Sequence, residues 1–177
     1  MRLSRLFISC VASVAIVFAA SPVAAADVGH SCAVTDDGVE ASFVYDKDFV
    51  ELLVTLLDAY TPYEAGSGLT LSSVSMTGGD ININATVSRA VGLKLKSKGL
   101  DEIDSLKHDM AVMIYSLFAQ LGPDDNGDSL VQKMQDYGIG VNYNFYVDGE
   151  ELPVLVMALA AGYINAAGSQ DQMVYSV

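Results

Sequence analysis

Hydrophobic side chains recur with helical spacing after Asp46. They fall at Phe49, Leu52, Leu53, Leu56, Leu57 and Tyr60. This is the i, i+3, i+4, i+7 series of an amphipathic helix. Asp48 and Glu51 fit a capping box at its start, and Thr61-Pro62 ends it. We therefore predict a core helix in this segment.

Two more helices are predicted in the second half of the chain. The longer one starts at Gly99, closes at Gly122-Pro123, and has the apolar positions Ile103, Leu106, Met110, Met113, Ile114 and Leu117. The shorter one is capped by Asp128 or Ser129 and stops at Gly138, where a left-handed residue is usual. Helices are therefore expected on both sides of the Gly122-Pro123 break.

Two alternating runs flank Gly78-Gly79, a dipeptide suited to a two-residue hairpin turn. Pairing outward from this turn puts Val74, Met76, Ile81 and Ile83 on one buried face. The other face collects Ser73, Ser75, Thr77, Asp80, Asn82, Asn84 and Thr86. Since the register that suits the turn also separates apolar from polar residues, we predict a hairpin from Thr70 to Val87, with Ser72 opposite Ala85.

A second hairpin is predicted around Asp148-Gly149. Pairing outward from this turn brings Tyr143, Phe145, Val154 and Val156 onto one buried face, and puts Tyr146 on the polar face. Pro153 lacks an N–H group, so the strand from Leu152 is expected at a sheet edge. The strand is expected to run to about Leu159, with a short turn or helix after it.

Lysines alternate with other residues between Arg89 and Lys98. In an extended chain Lys94, Lys96 and Lys98 would share one side. We interpret the segment as an edge strand protected by lysines or as a solvated linker, with an anion site as the alternative.

These elements predict an α+β domain. Its antiparallel sheet has four or more strands built from two hairpins, with two to three helices packed on one face. The domain spans residues 46–167, after a leader segment at 27–45 with at most one short strand, and before a loose tail at 168–177. The two helix-plus-hairpin units leave an internal duplication open, although their spacing does not repeat.

The N-terminus has the pattern of a secretory signal peptide. Arg2 and Arg5 precede an uncharged apolar stretch, and small residues lead up to Ala25 and Ala26. We predict cleavage of residues 1–26, which would leave no transmembrane anchor. It would also remove Cys10, so that Cys32 becomes the single thiol, with an inert or intermolecular role. The protein is expected to be periplasmic or secreted.

Composition narrows the classes of partner. The 177 residues include 9 basic and 22 acidic ones, for a net charge of −13. Cleavage would remove two arginines and no acid, which makes the mature charge −15. Such a chain has no electrostatic footprint for nucleic acid or for an anionic membrane surface.

Catalytic patterns are sparse. His30 and His108 belong to no nucleophile or metal-ligand motif, and no phosphate loop or dinucleotide fingerprint occurs. Asp80, Glu150 and Glu151 lie near the predicted hairpin turns. A small secreted hydrolase that uses a carboxylate pair drawn from these three is therefore the alternative to a non-catalytic protein.

One segment resembles the opening of a calcium loop. Asp124, Asn126 and Asp128 place oxygen ligands at its first, third and fifth positions. Ser129 stands where the sharp turn needs glycine, and Gln135 stands where a bidentate glutamate belongs. A turn between helices followed by an N-cap explains the same residues, so calcium is the one cofactor considered.

The polar face of the hairpins is the candidate binding surface. Its residues are Ser73, Ser75, Thr77, Asn82, Asn84, Thr86 and Tyr146. Hydrogen-bonding side chains in two rows could contact a protein or a glycan at the cell envelope, although an ordinary solvent-facing sheet has the same composition. We therefore expect a non-catalytic exported module that binds a protein or polysaccharide.

The export hypothesis predicts the mature N-terminus. Mass spectrometry of protein recovered from the host envelope or medium should show a chain that begins at Ala26 or Asp27. Recovery of the intact chain from Met1 in the cytoplasm would contradict export and the inference about Cys32.

Overall fold

The computed structural model describes residues 30–35, 38–66 and 68–174. The predicted signal peptide lies outside these residues. The described part contains seven strands and five helices, named here in chain order. The strands are β1 (His30–Thr35), β2 (Gly38–Phe43), β3 (Tyr63–Gly66), β4 (Leu69–Thr77), β5 (Asp80–Val87), β6 (Val141–Val147) and β7 (Leu155–Leu159). The helices are α1 (Lys47–Asp58), α2 (Arg89–Lys96), α3 (Leu100–Ala119), α4 (Leu130–Tyr137) and α5 (Ala161–Val174).

The α+β class is confirmed, but the sheet is mixed rather than purely antiparallel. Five strands follow the order β3-β4-β5-β6-β7, and β5 pairs with β6 in parallel. Three helices lie between these two strands in the chain, so the connection is long enough to bring β6 back in the direction of β5. The hairpin signals could not reveal this crossover, because they report only on neighbouring segments.

The first hairpin is confirmed in its turn and in the register next to it. Thr77 pairs with Asp80, and the predicted pairing continues to Val74 with Ile83. A bulge at Ser72 then shifts the register, so that Leu71 and not Ser72 faces Ala85. The shift brings Leu69 and Leu71 into the core, which explains why the bulge is favourable.

In the second hairpin the two predicted strands, β6 and β7, do pair, but in a different register from the predicted one. Tyr143 pairs with Met157 instead of Val154, because residues 148–154 form a longer connection before β7. A shift of three residues reverses the two faces of the strand. Met157 is 2% exposed and Val156 is 55% exposed, so the prediction that Val156 is buried was wrong. The expectation of an edge strand holds, since β7 ends the described sheet.

Three helices follow the sequence pattern closely. α1 begins two residues earlier than the predicted capping box, because the Asp46 carboxylate accepts a hydrogen bond from the Phe49 backbone N–H at 2.8 Å. α3 covers the predicted long helix, and α4 has Ser129 as its N-cap. Gly138 ends α4 with a φ of 69°, as expected for a left-handed cap.

The lysine segment is a helix, which corrects the prediction of an edge strand or linker. Gly92 brings α2 against Val147 and Val87, on the apolar face of the sheet. Each residue of a helix is rotated by about 100° from the one before it, so residues two positions apart point to nearly opposite sides. Lys94 and Lys96 therefore do not lie in one row. Lys96 instead pairs with Glu150 at 3.3 Å and Lys98 with Glu102 at 3.2 Å.

Both ends of the described chain have more secondary structure than the sequence predicted. β1 and β2 form an antiparallel pair in the leader segment, with Cys32 opposite Ala41. α5 continues to Val174, into the segment expected to be a loose tail. Its Ile164 and Ala167 are buried, and Gly168 lies against the Tyr115 ring. Packing of small residues on α3 therefore orders a segment whose own helical signal is weak.

A buried carboxylate ties the start of α1 to the loop after α3. Asp124 is 5% exposed, and its side chain accepts hydrogen bonds from the backbone N–H groups of Tyr45, Asn126 and Asp128 at 2.9 to 3.1 Å. The Tyr45 hydroxyl in turn donates a hydrogen bond to the carbonyl oxygen of Gly122 at 3.0 Å. These contacts join segments that lie far apart in the chain.

The charged form of Asp124 is the stabilising one. Burial acts to raise the pKa of Asp124, but the three backbone N–H donors and nearby Lys133 outweigh it, and the net shift is downward. A group with a lowered folded pKa contributes stability that is present above its unfolded pKa. This contribution is lost as the pH falls through the folded pKa.

We expect Asp124→Asn to lower the free energy of unfolding at neutral pH by about 1–3 kcal/mol, because the donors lose a charged acceptor. The variant should also lose less stability than the wild type between about pH 5 and pH 2. Urea unfolding at several pH values measures both effects. Asp109→Asn, at an exposed position on α3, is the control, and equal acid profiles for Asp124→Asn and the wild type would contradict the assignment.

Candidate functional site

All seven candidate binding residues lie on the same face of the five-stranded sheet. They belong to β4, β5 and β6, and alternate with buried residues such as Val74, Ala85 and Phe145. The packing sides of α1, α2 and α3 meet those buried residues, on the opposite face. We call the polar side the open face, since α1, α2 and α3 pack on the other side of the sheet.

Parallel pairing places asparagines side by side across the open face. Asn82 lies in register with Asn142, and Asn84 lies in register with Asn144. The Asn144 side-chain amide donates to Oδ1 of Asn84 at 3.0 Å, and the Asn142 amide lies 3.4 Å from Oδ1 of Asn82. Asn84 in turn donates to the Ser73 hydroxyl at 2.9 Å. We call Asn82, Asn84, Asn142 and Asn144 the asparagine ladder.

One end of the ladder is held by Asp80. Its Oδ1 accepts a hydrogen bond from the Gly140 backbone N–H at 2.7 Å, directly before β6. Its Oδ2 lies 3.4 Å from the Asn142 amide, and its carbonyl oxygen accepts from the Asn82 amide at 3.0 Å. Asp80 therefore fixes both the start of β6 and the orientation of the first asparagine pair.

The other end of the open face has hydroxyl groups and an aromatic ring. Thr86 pairs in register with Tyr146, and its hydroxyl lies 2.7 Å from that of Ser72. On the β7 side the ladder is bordered by Ala158 and by the exposed side chain of Val156. The surface thus combines amides and hydroxyls with two apolar contacts.

Half of the ladder, Asn142 and Asn144, was not predicted from the sequence. Asn142-Tyr143-Asn144 repeats the spacing of Asn82-Ile83-Asn84, which is a visible signal. It did not point to a site, because the two strands were assigned to separate hairpins. Only their parallel alignment brings the two pairs together.

The proposed calcium ligands are engaged within the protein. Both Asp124 oxygens accept backbone hydrogen bonds, and Asp128 forms an ion pair with Lys133 at 2.6 Å. The Asn126 side chain is exposed. Among the described residues, no group of three or more His, Cys, Asp and Glu side chains could hold a metal ion. The loop geometry accounts for the sequence pattern without a cation, and calcium remains an untested hypothesis.

The carboxylates considered for a hydrolase do not converge. Asp80 lies where β5 begins, whereas Glu150 follows the other end of β6 and pairs with Lys96. The length of β5 separates these ends by roughly 23 Å at about 3.3 Å per residue. Carboxylates that cleave glycosides together lie about 5–10 Å apart. Glu151 follows Glu150 and is exposed. The His108 side chain, on α3, is also exposed.

Comparison with known proteins identifies the fold and no family. No protein-family model matches the chain, and no curated protein matches it. A candidate secreted protein from Pseudomonas aeruginosa has a similar structure, with a TM-score of 0.50 and 14% sequence identity over 65% of this chain and 88% of that one. A pilotin of the Vibrio vulnificus type 2 secretion system gives a TM-score of 0.40 at 13% identity, over 64% and 86% of the two chains. None of the described helices is both long and apolar enough to cross a membrane.

The ladder geometry predicts an energetic coupling between its members. Asn144→Ala should lower the free energy of unfolding by about 0.5–1.5 kcal/mol, because Asn84 loses a partly buried hydrogen-bond donor. Combining it with Asn84→Ala should cost less than the sum of the single changes, by at least about 0.5 kcal/mol. Urea unfolding of all four proteins measures the difference.

Asn126→Ala, in an exposed loop, is the matched control and should combine additively with Asn144→Ala. Strict additivity of Asn84→Ala and Asn144→Ala would show that the ladder bond contributes nothing.

Proposed function

We propose that this protein is a non-catalytic exported module of the cell envelope or secreted space that binds a partner through the open face. The observation that carries the proposal is the asparagine ladder. Its amides are bonded to one another across two central strands, so the surface is ordered before a partner arrives. A pre-organised surface loses little conformational entropy on binding.

The chemistry of the open face suits a polar partner. Each asparagine has two donors and a carbonyl acceptor, and the ladder uses only part of this capacity. Ser75 and Thr77 add exposed hydroxyl groups, and Tyr146 adds a ring that a sugar or an apolar side chain could cover. A protein or a polysaccharide of the envelope fits this arrangement. Nucleic acid is disfavoured by the strongly acidic composition.

Export rests on the N-terminal pattern of charge, apolar stretch and small residues. The Pseudomonas aeruginosa protein of similar fold is described as a candidate secreted protein, which agrees with an envelope or secreted location. The hydrolase alternative has no comparable support, because Asp80 lies at one end of the sheet and the exposed Glu150 and Glu151 lie at the other.

A variant that spares the ladder tests the open face. Ser75→Lys combined with Val156→Lys adds two charges beside the asparagines, at side chains that are exposed. Exposed substitutions change stability by only about 0.5 kcal/mol each. We expect the variant to lose the envelope partner by at least about tenfold in affinity while its Tm stays nearly unchanged.

The control is Thr55→Lys combined with Ser116→Lys, which adds the same charges on the exposed helical surface. Immobilised wild-type and variant proteins would be incubated with two separate fractions of the host envelope, the membrane-associated proteins and the purified cell-wall polysaccharide. Retention by the wild type and the control, but not by the open-face variant, supports the proposal. Equal retention by all three proteins, or retention by none, contradicts it.

A further inference from the structure

An apolar cleft lies on the side of the sheet opposite to the open face. Its empty volume is about 820 Å³, part of which is open to solvent. The floor consists of residues from β4, β5 and β6, and the walls come from α1 and α3. All of its lining residues are apolar or aromatic, and the sheet floor includes Val74, Ile81, Ala85, Val141, Tyr143 and Phe145.

The small side chain of Ala85 helps to create the space. Ala85 is 5% exposed and lies between Leu71 and Phe145 in the sheet register. The other residues that line the cleft have larger side chains. About 70 Å³ of this space admits the centres of water-sized spheres. Protein interiors are normally packed without voids larger than a water molecule, so the cleft is a departure from close packing that costs stability.

The cleft reaches the surface between the two helices. Leu57 of α1, Met113 and Leu117 of α3, and Ile83 of β5 line it and are only partly buried. The deep residues Leu53, Ile114 and Phe118 are buried. An apolar passage therefore leads from solvent to the sheet, and the flexible Met113 side chain can adapt to an occupant.

The segments that line the cleft carry acidic but no basic side chains other than His108. The chain has no lysine or arginine from Asp48 to Ser88, from His108 to Gln132, or from Met134 to Val147. These segments supply every residue that lines the cleft. On α1, the charged side chains of Glu51 and Asp58 are exposed. An anionic head group would find no cation from these segments to pair with, and would meet acidic neighbours.

We propose that the cleft binds one acyl chain of an uncharged lipid. The lining offers hydrocarbon contacts along its whole depth, and burial of each methylene is favourable. An extended peptide would have to bury backbone N–H and C=O groups without hydrogen-bond partners. A partner helix, about 10 Å across, would cover the mouth and leave the floor at Ala85 empty. A single unbranched chain is thin enough to reach that floor.

Fluorescence of N-phenyl-1-naphthylamine, an uncharged apolar probe, measures occupancy in delipidated protein. We expect the probe to become bright with the wild type and to be displaced by monolauroylglycerol. Laurate has the same acyl chain but a charged head group. At a pH where it is ionised, it should displace the probe at least about tenfold less well. Equal displacement by both lipids, or no binding of the probe, would overturn the proposal.

Ala85→Leu locates the site, because the larger side chain fills the floor of the cleft. This variant should weaken probe binding at least about tenfold while circular dichroism and Tm show a folded protein. Ala119→Leu makes the same change at an exposed position of α3 and should bind like the wild type. A folded Ala85→Leu that binds the probe normally would place the site elsewhere.

A second variant covers the case in which Ala85→Leu does not fold. Leu117→Gln puts a polar group at the partly buried mouth and should reduce binding of both the probe and monolauroylglycerol. Unchanged binding by folded Leu117→Gln would overturn the proposal. The open-face variant Ser75→Lys/Val156→Lys should keep full binding of the probe, which separates this inference from the proposed function.

Discussion

The parallel, in-register pairing of β5 with β6 is the constraint on which the rest of the structure depends. It places Ile81, Ile83 and Ala85 beside Val141, Tyr143 and Phe145 on one side, and brings the four asparagines together on the other. Because side chains alternate along a strand, one alignment builds both surfaces at once. A slip of one residue would send the asparagines into the core and the apolar residues into solvent.

Local patterns were sufficient wherever the deciding contacts are close in sequence. Gly78-Gly79 predicted its hairpin, and Ser129 and Gly138 predicted the ends of α4, because turns and caps are set by neighbouring residues. The pattern failed at α2, where the alternating lysines suggested a strand. There the close contact of Gly92 with Val147 decides the structure, and no short-range pattern reveals it.

The residues of the candidate site also divide into those that were predicted from neighbouring sequence and those that were not. Ser73, Asn82 and Asn84 were predicted because one hairpin presents them together, whereas Asn142 and Asn144 join them only through the long crossover. Asp148-Gly149 forms the predicted turn, with the Glu150 N–H donating to the Val147 carbonyl oxygen at 2.8 Å. The register of β7 was nevertheless predicted wrongly, because the connection continues to Val154 before the strand begins. Met157 and Leu159 are buried in the observed register, and this burial sets the register that the turn alone does not determine.

The two faces of the sheet differ in chemistry, which is why we propose a different ligand for each. The open face is stiffened by hydrogen bonds that cross β4, β5 and β6, so its shape varies little. The apolar cleft is bounded by α1 and α3, and α1 is tied by Tyr45 to the loop that contains Asp124. That tie lies at the start of α1, while Leu57 at the mouth of the cleft lies near its end. The other end of α1 is held as well, because Oδ1 of Asp58 accepts a hydrogen bond from the Val74 backbone N–H at 2.8 Å. Both ends of α1 are therefore fixed on the sheet, and the adaptable part of the cleft wall is the flexible side chain of Met113 on α3.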